Sequence, residues 1–335
     1  MMPQHPATTV LVTGAAGFVG LNIVRGLAER GAAVVALARR GPDPEMARFL
    51  EPVAGRVRFA QGDVRDRAGL AVLAEREGVR RIVHGAAVTS AEAEREDPAG
   101  FVDVNLGGTL NVLEAARHVA AERVVLISSS AVYGAPADRA RLIREDDPLQ
   151  IGGIYTICKQ AGEELCRRYG ELYGLSAVAG RLGTAYGPME RPTGSRSTMS
   201  QVHTLLHAAL AGRPLRIYGA ERLRDVCYIA DVADAFCGLA LADHLGHRVY
   251  NVSAGAAHSL AEIAAAVAEL APGPPWVPAA RPEDADLAVR PASERGPMDL
   301  GRLRADLGFS PRFTLRQGLG EYLAWLRAQE TRSVA

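Results

Sequence analysis

The chain has 335 residues, 48% of them apolar, enough for one large α/β domain with an added lobe or for two domains. Its 38 basic and 38 acidic residues cancel, so no charge excess points to nucleic acid or to a membrane surface. No apolar run is long enough to span a bilayer, and the opening MMPQHPATT has neither the charged flank nor the apolar core of a signal peptide.

The first half alternates strand and helix. Val10, Leu11 and Val12 form a short apolar run that reads as a buried parallel strand. Gly14, Gly17 and Gly20 follow, and Leu21, Val24 and Leu27 then recur at helical spacing up to Gly31. Strand, glycine turn and helix in that order predict a dinucleotide site. Gly14 permits the tight turn, Gly17 lets backbone amides approach a pyrophosphate, and Gly20 lets the helix pack close to the strand. A second strand is predicted at 33–38, then a loop, a strand at 57–64 and a helix at 68–77. A strand at 81–87, one long helix from Pro98 to Val119 and a strand at 124–130 complete the pattern. The long helix is predicted to carry Val102, Leu106, Leu110 and Leu113 on one face. This order argues for a Rossmann-type, doubly wound parallel α/β sheet, with ligands at the carboxyl ends of the strands.

The second strand ends at Ala38, where a binder of the ribose 2′-hydroxyl usually carries Asp or Glu, and Arg39 and Arg40 follow. Two guanidiniums suit a 2′-phosphate and predict NADP. The alternative is NAD, with Asp43 or Glu45 serving the ribose.

Tyr155 and Lys159 stand four residues apart on a predicted helix and share a face. A free tyrosine, with a pKa near ~10, is a poor base at neutral pH. An ammonium one turn away favours its phenolate and can also hold ribose hydroxyls. A serine on the tail of the 124–130 strand would hold a substrate hydroxyl while Tyr155 removes its proton.

The motifs TGAAGFVG, GDV, HGAA, NLGGTLNVLEAA, SSSAVYG with YTICK, RLGTAYGP and RDVCYIADVADA resemble the extended branch of the short-chain dehydrogenase/reductase superfamily, the NAD-dependent epimerase/dehydratase family. The resemblance runs from about Thr9 to Arg327. It implies a dinucleotide-binding domain over 7–182, to which 226–252 returns, and a smaller substrate lobe over 183–330. It implies that Ser129 is the catalytic hydroxyl beside Tyr155 and Lys159. Phe18 and Val19 would join the glycine turn at the cofactor, Asp63 with Val64 would meet the adenine, and Ala86 and Ala87 would pass under the cofactor. His84 would be structural and Asn105 would stand near the active site. Ser130, Thr184 and Arg224 would face the substrate, Arg224 at a phosphate. Thr184 departs from the family pattern, which has asparagine there. The implied activity is hydride transfer at a hydroxyl or keto carbon of a sugar-like substrate, with transient oxidation during epimerisation as the alternative. A non-catalytic NADP-binding regulator would be expected to lack Ser, Tyr or Lys, and all three are present.

A dehydratase needs a carboxylic acid and a carboxylate; the resemblance implies that this pair directly follows the catalytic hydroxyl, and Ser130 and Ala131 stand there instead. The helices at 98–119 and 153–173 are expected to pair into a homodimer. Cys158, Cys166, Cys227 and Cys237 form no CxxC pair and read as free thiols in a reducing cytoplasm. His203 and His207 in HTLLH lack a third ligand, so no metal site is expected. The polar loop 191–200 reads as a lid, a linker or a contact to an anionic substrate group.

Overall fold

The computed structural model describes residues 8–135, 138 and 141–334. The N-terminal reading and the first residue of the expected cofactor domain fall outside them.

The chain opens with β1 (Thr9–Thr13), α1 (Phe18–Glu29) and β2 (Ala33–Ala38). The segment after β2, expected as loop, forms α2 (Pro44–Leu50), because Asp43 accepts the Met46 amide as N-cap and Pro44 sits in the first turn. β3 (Val57–Gln61), α3 (Arg67–Arg76) and β4 (Arg81–His84) follow. Both strands stop short of their predicted ends, so Asp63, Ala86 and Ala87 lie beyond the pairing, on the loops above the sheet.

The predicted long helix is interrupted. After the short α4 (Ala91–Glu96) come α5 (Pro98–Val102), a π-helical turn at Asp103–Gly107 and α6 (Gly108–His118). The wider turn shifts the phase of everything after it. The apolar face is therefore not continuous: Leu113 is fully buried while Val102 and Leu110 are exposed.

β5 (Arg123–Ser129) and α7 (Ile154–Tyr173) carry the expected Ser, Tyr and Lys. β6 (Ala177–Leu182) and a short β7 (Thr184–Tyr186) lead to α8 (Gln201–Leu210) and β8 (Arg216–Tyr218). Then come β9 (Leu223–Tyr228), α9 (Ile229–Leu241) and β10 (Val249–Val252). β11 (Ala257–Ser259), α10 (Leu260–Leu270), β12 (Val277–Pro278), β13 (Leu287–Ala288) and α11 (Gly301–Leu307) precede α12 (Leu315–Val334), which runs past the predicted end near Ala328.

The main sheet has seven parallel strands in the order β3-β2-β1-β4-β5-β6-β10. Val10, Leu11 and Val12 at its centre have no exposed surface, as a strand covered on both faces requires. β10 joins the edge at β6, and α9 packs on α1, where Gly26 admits the Cys237 thiol and Ala233. Asp231, predicted as a helix-start residue, is buried and accepts the amides of Arg312 and Phe313. Two three-stranded sheets, β11-β9-β7 and β12-β8-β13, lie outside the main sheet. The switch in connection between β1 and β4 opens a crevice at the carboxyl ends of those strands, where ligands bind in such sheets.

Candidate functional site

Gly14 has φ +70°, and a Cβ there would stand 2.6 Å from the Ala86 amide nitrogen. A Cβ on Gly20 would stand 2.2 Å from the Gly14 carbonyl oxygen. Both positions therefore need glycine. α1 starts at Phe18 with Gly17 as N-cap, no capping side chain and no acid in its first turn, so its amides stay available to a phosphate. The crevice above them holds about 950 Å³. Of the residues expected at the cofactor, Gly14, Gly17, Arg39, Asp63, Val64, Ala86 and Ala87 line it, and Arg191 to Ser195 form a further wall. A cradle that a single Cβ would fill, under an uncapped helix end, fits a dinucleotide pyrophosphate.

The other predicted cofactor residues sit just outside this wall. The Phe18 side chain is buried in the core, Val19 packs against that core, and Gly20 serves the close approach of α1 to the turn. Asn105 is buried in the π turn. Its side-chain oxygen accepts the Val88 amide at 3.0 Å and its nitrogen donates to the Val88 carbonyl at 3.1 Å, which pins the loop carrying Ala86 and Ala87. Asp63 is gripped by Arg65 at 2.8 and 3.1 Å. That hydrogen bond holds its carboxyl below the usual range, so it is an ionised acceptor beside the groove.

His84 organises the same loop. Thr109 donates its hydroxyl to the Asn105 carbonyl at 2.8 Å, so it accepts from Nε2 of His84 at 3.1 Å. Nδ1 then accepts from Thr13 Oγ1 at 2.7 Å, and Thr13 in turn accepts the Ala86 amide at 3.2 Å. Every donor in this chain has one acceptor. The tautomer is thereby assigned from the network, and burial pushes the imidazole pKa down to about 3. Sequence reasoning did not single out Thr109; a hydroxyl four residues after a mid-helix asparagine was the available signal.

Ser129 ends β5 and its hydroxyl caps the turn at Ser130–Tyr133 by accepting the Ala131 amide at 3.2 Å. Tyr155 is the second residue of α7, with the Ser129 hydroxyl near its phenol. Burial raises the phenol pKa, and the neighbouring Ser129 hydroxyl and the positive Arg196 oppose that rise. One turn on, the Lys159 ammonium lies 5.6 Å from the centre of the Tyr155 ring and donates to the Ile127 carbonyl at 2.8 Å. Burial brings the Lys159 pKa down to about 8. The structure thus brings Ser129, Tyr155 and Lys159 together at the carboxyl end of β5, and none of the three is among the residues lining the glycine crevice.

On the substrate side, Arg224 donates to Thr184 Oγ1 at 2.8 Å and to the Ser293 carbonyl. Its Nε is enclosed without a partner. Burial and the neighbouring Arg295 cation lower its pKa to about 10. Arg295, which sequence reasoning missed, is itself buried and donates to the Ser130 carbonyl at 3.2 Å. Two adjacent guanidiniums whose recorded bonds go to neutral oxygens make a site for an anion. The arginine in SERGPMD was the only signal for Arg295. Ser130 itself is buried, its side chain beside the catalytic hydroxyl in sequence and its carbonyl on Arg295.

Among the described residues no group of three potential metal ligands gathers, and no helix is long and apolar enough to cross a membrane. The His203 and His207 rings stack at 4.1 Å, and burial pushes His203 down to about 4. All four cysteines are buried and unpaired.

The family model for the NAD dependent epimerase/dehydratase family matches residues 10–253, from β1 through β10 and across Ser129, Tyr155 and Lys159. The chain belongs to that family. It is 31% identical to the UDP-glucose 4-epimerase of Mycolicibacterium smegmatis, over 95% of this chain and 98% of that one. It is 28% identical to the dTDP-glucose 4,6-dehydratase of Xanthomonas campestris pv. campestris, over 96% and 94%. Among solved structures, MoeE5 in complex with UDP-glucuronic acid and NAD shares 30% identity with a TM-score of 0.80, covering 96% of this chain and 99% of that one. As a family member the chain is an NAD(P)-dependent enzyme of the extended short-chain dehydrogenase type.

The His84 network generates a pH prediction. The folded-state pKa, about 3, lies below the ordinary 6.5. The unfolded chain therefore takes up the proton first as pH falls. Stability is unaffected above 6.5 and is lost progressively between 6.5 and 3, by up to about 1.4 kcal/mol per pH unit. Denaturant unfolding of cofactor-free His84→Gln should show a shallower loss than wild type between pH 7 and 5. Parallel slopes would remove His84 from the account.

Proposed function

We propose that the chain epimerises a nucleoside-diphosphate hexose by transient oxidation and re-reduction. The observation that carries this is the Ser129, Tyr155 and Lys159 cluster followed by Ser130 and Ala131, with the Arg224 and Arg295 pair beside it. Tyr155 takes the proton from a sugar hydroxyl that Ser129 holds, and returns it when the carbonyl is reduced. Lys159 lowers the phenol's proton affinity while charged. The bound nicotinamide supplies hydride acceptance and return. Dehydration would need a carboxylic acid and a carboxylate at the same carbons. Ser130 and Ala131 supply neither, Glu163 is tied to Arg181, and Glu94 accepts the Ile154 amide at the start of α7. The paired guanidiniums suit a diphosphate. UDP-glucose and UDP-glucuronate are the first candidates, since relatives are described with them. Incubation with each should give a product of unchanged mass with the cofactor regenerated, and Tyr155→Phe should lower turnover by about 10²-fold or more while binding cofactor normally. A product lighter by one water, or near-normal turnover in Tyr155→Phe, would defeat this reading.

NADP is the cofactor we assign, although the similar structure carries NAD. The supporting features are Ala38 at the end of β2, and Arg39 and Arg40 on the groove wall. Equilibrium titration should give tighter binding of NADP. Equal affinity, or tighter NAD, would reject the assignment.

We further propose a homodimer through α5, α6 and α7. Val102, Leu110, Ile157, Leu172 and Tyr173 expose apolar surface on these helices. Light scattering at micromolar concentration should show twice the chain mass, and Ile157→Glu should reduce it to the monomer. A monomeric wild type would overturn this. The buried free thiols suit a reducing compartment, and we place the enzyme in the cytoplasm.

A further inference from the structure

We infer that Arg191 determines cofactor preference by masking two carboxylates at the adenosine end of the groove. The inference deepens the NADP assignment and rests on the groove described above.

The end of β2 is where the adenosine ribose lies in this kind of sheet. Arg39, Arg40 and Asp43 line the groove there, and Glu45 follows in the first turn of α2. Arg39 and Arg40 follow the strand, and Asp43 and Glu45 begin α2. Left to themselves the two acids would oppose a 2′-phosphate and would favour a 2′-hydroxyl, which a carboxylate can accept. They are not left to themselves. Arg191, from the loop after β7 on the opposite wall, forks across. One guanidinium nitrogen reaches Glu45 Oε2 at 2.5 Å and the other reaches Asp43 Oδ2. The remaining Asp43 oxygen accepts the Met46 amide at 2.9 Å, so both of its oxygens are committed. Burial works to raise the Asp43 pKa, but the Met46 amide and Arg191 outweigh it and the carboxyl stays ionised and paired.

The other charges along this wall do not disturb the count. Asp63 is held by Arg65. Arg39 and Arg40 carry no ion pair among the described residues. With Arg191 in place the five groups sum to one positive charge; without it they sum to zero, with two carboxylates free. The fork is also pre-placed. Pro192 follows it, Thr193 and Arg196 bond to each other's backbone, and the Ser195 carbonyl accepts the Thr89 amide at 2.9 Å. Arg191 therefore reaches the acids from a loop already fastened to the far side of the crevice. A single residue outside the β2 turn would thus convert a wall of mixed charge into one that accepts phosphate.

The test is the ratio of NADP to NAD affinity, measured by equilibrium titration of cofactor-free protein. Arg191→Gln should lower that ratio about tenfold or more, with NAD affinity kept or improved. Adding Asp43→Asn and Glu45→Gln to that variant should restore the ratio. Asparagine at 43 keeps a capping acceptor for α2. If Arg191→Gln does not fold, Asp43→Asn with Glu45→Gln in the wild-type background carries the test, and the ratio must rise. A ratio unchanged within threefold overturns the inference. So does an equal loss of both cofactors, which would make Arg191 a strap without selectivity. The wild-type ratio judges the NADP assignment by itself: a wild type preferring NAD rejects that assignment, while a tenfold further shift toward NAD in Arg191→Gln still upholds the role of Arg191.

Discussion

The buried ion pair between Glu163 and Arg181 ties together the elements that carry Ser129, Tyr155 and Lys159. Both side chains are almost wholly enclosed, and the guanidinium meets the carboxylate through Nη2 at 2.7 Å and Nε at 3.1 and 3.2 Å. Ser128 donates to the same carboxylate at 2.5 Å, so the residue before the catalytic serine is tied to the helix that carries Tyr155 and Lys159. The other guanidinium nitrogen donates to the Tyr133 hydroxyl and the Glu145 carbonyl, and Tyr133 donates to Asn251 on β10. One charge pair thus links β5, α7, β6, β10 and the turn after Ser129. Removing either charge would strand the other in a dry interior, a change that typically costs several kcal/mol. The pair fastens α7 to β5 and β6 next to Ser129.

The cofactor side is fixed by different means. There the Gly14 turn meets the Gly85–Ala86 backbone too closely for any side chain, and neutral hydrogen bonds through Thr13, His84, Thr109 and Asn105 set the height of that loop. The π turn is part of this arrangement. It lets Asn105 face inward to Val88 while α6 keeps Leu113 in the core. A regular helix would satisfy one of these demands and forfeit the other.

That division explains what could be read from the chain before its structure. Glycine spacing, strand runs and the Tyr155–Lys159 interval are local and periodic, and they mark the parallel sheet, its crevice and the shared helix face of Tyr155 and Lys159. The π turn is invisible to periodicity, since the apolar residues on both sides still recur at helical intervals. α2 was read as loop because its helix depends on the Asp43 cap and the Pro44 start more than on any apolar stripe. Arg295 was missed because its partner Arg224 lies 71 positions away, and only the fold makes them neighbours. Arg191 was seen within a polar loop, but its fork to Asp43 and Glu45 joins residues nearly 150 positions apart.

The three arginines of the two grooves show why residue type alone does not assign function. Arg191 meets two carboxylates and its charge is spent within the protein. Arg224 and Arg295 repel one another, are partly stripped of water, and meet only neutral oxygens. Holding two such cations together costs stability in the free protein, a cost that the acids around Arg191 remove there. The two arrangements differ in what surrounds the guanidinium and not in residue type.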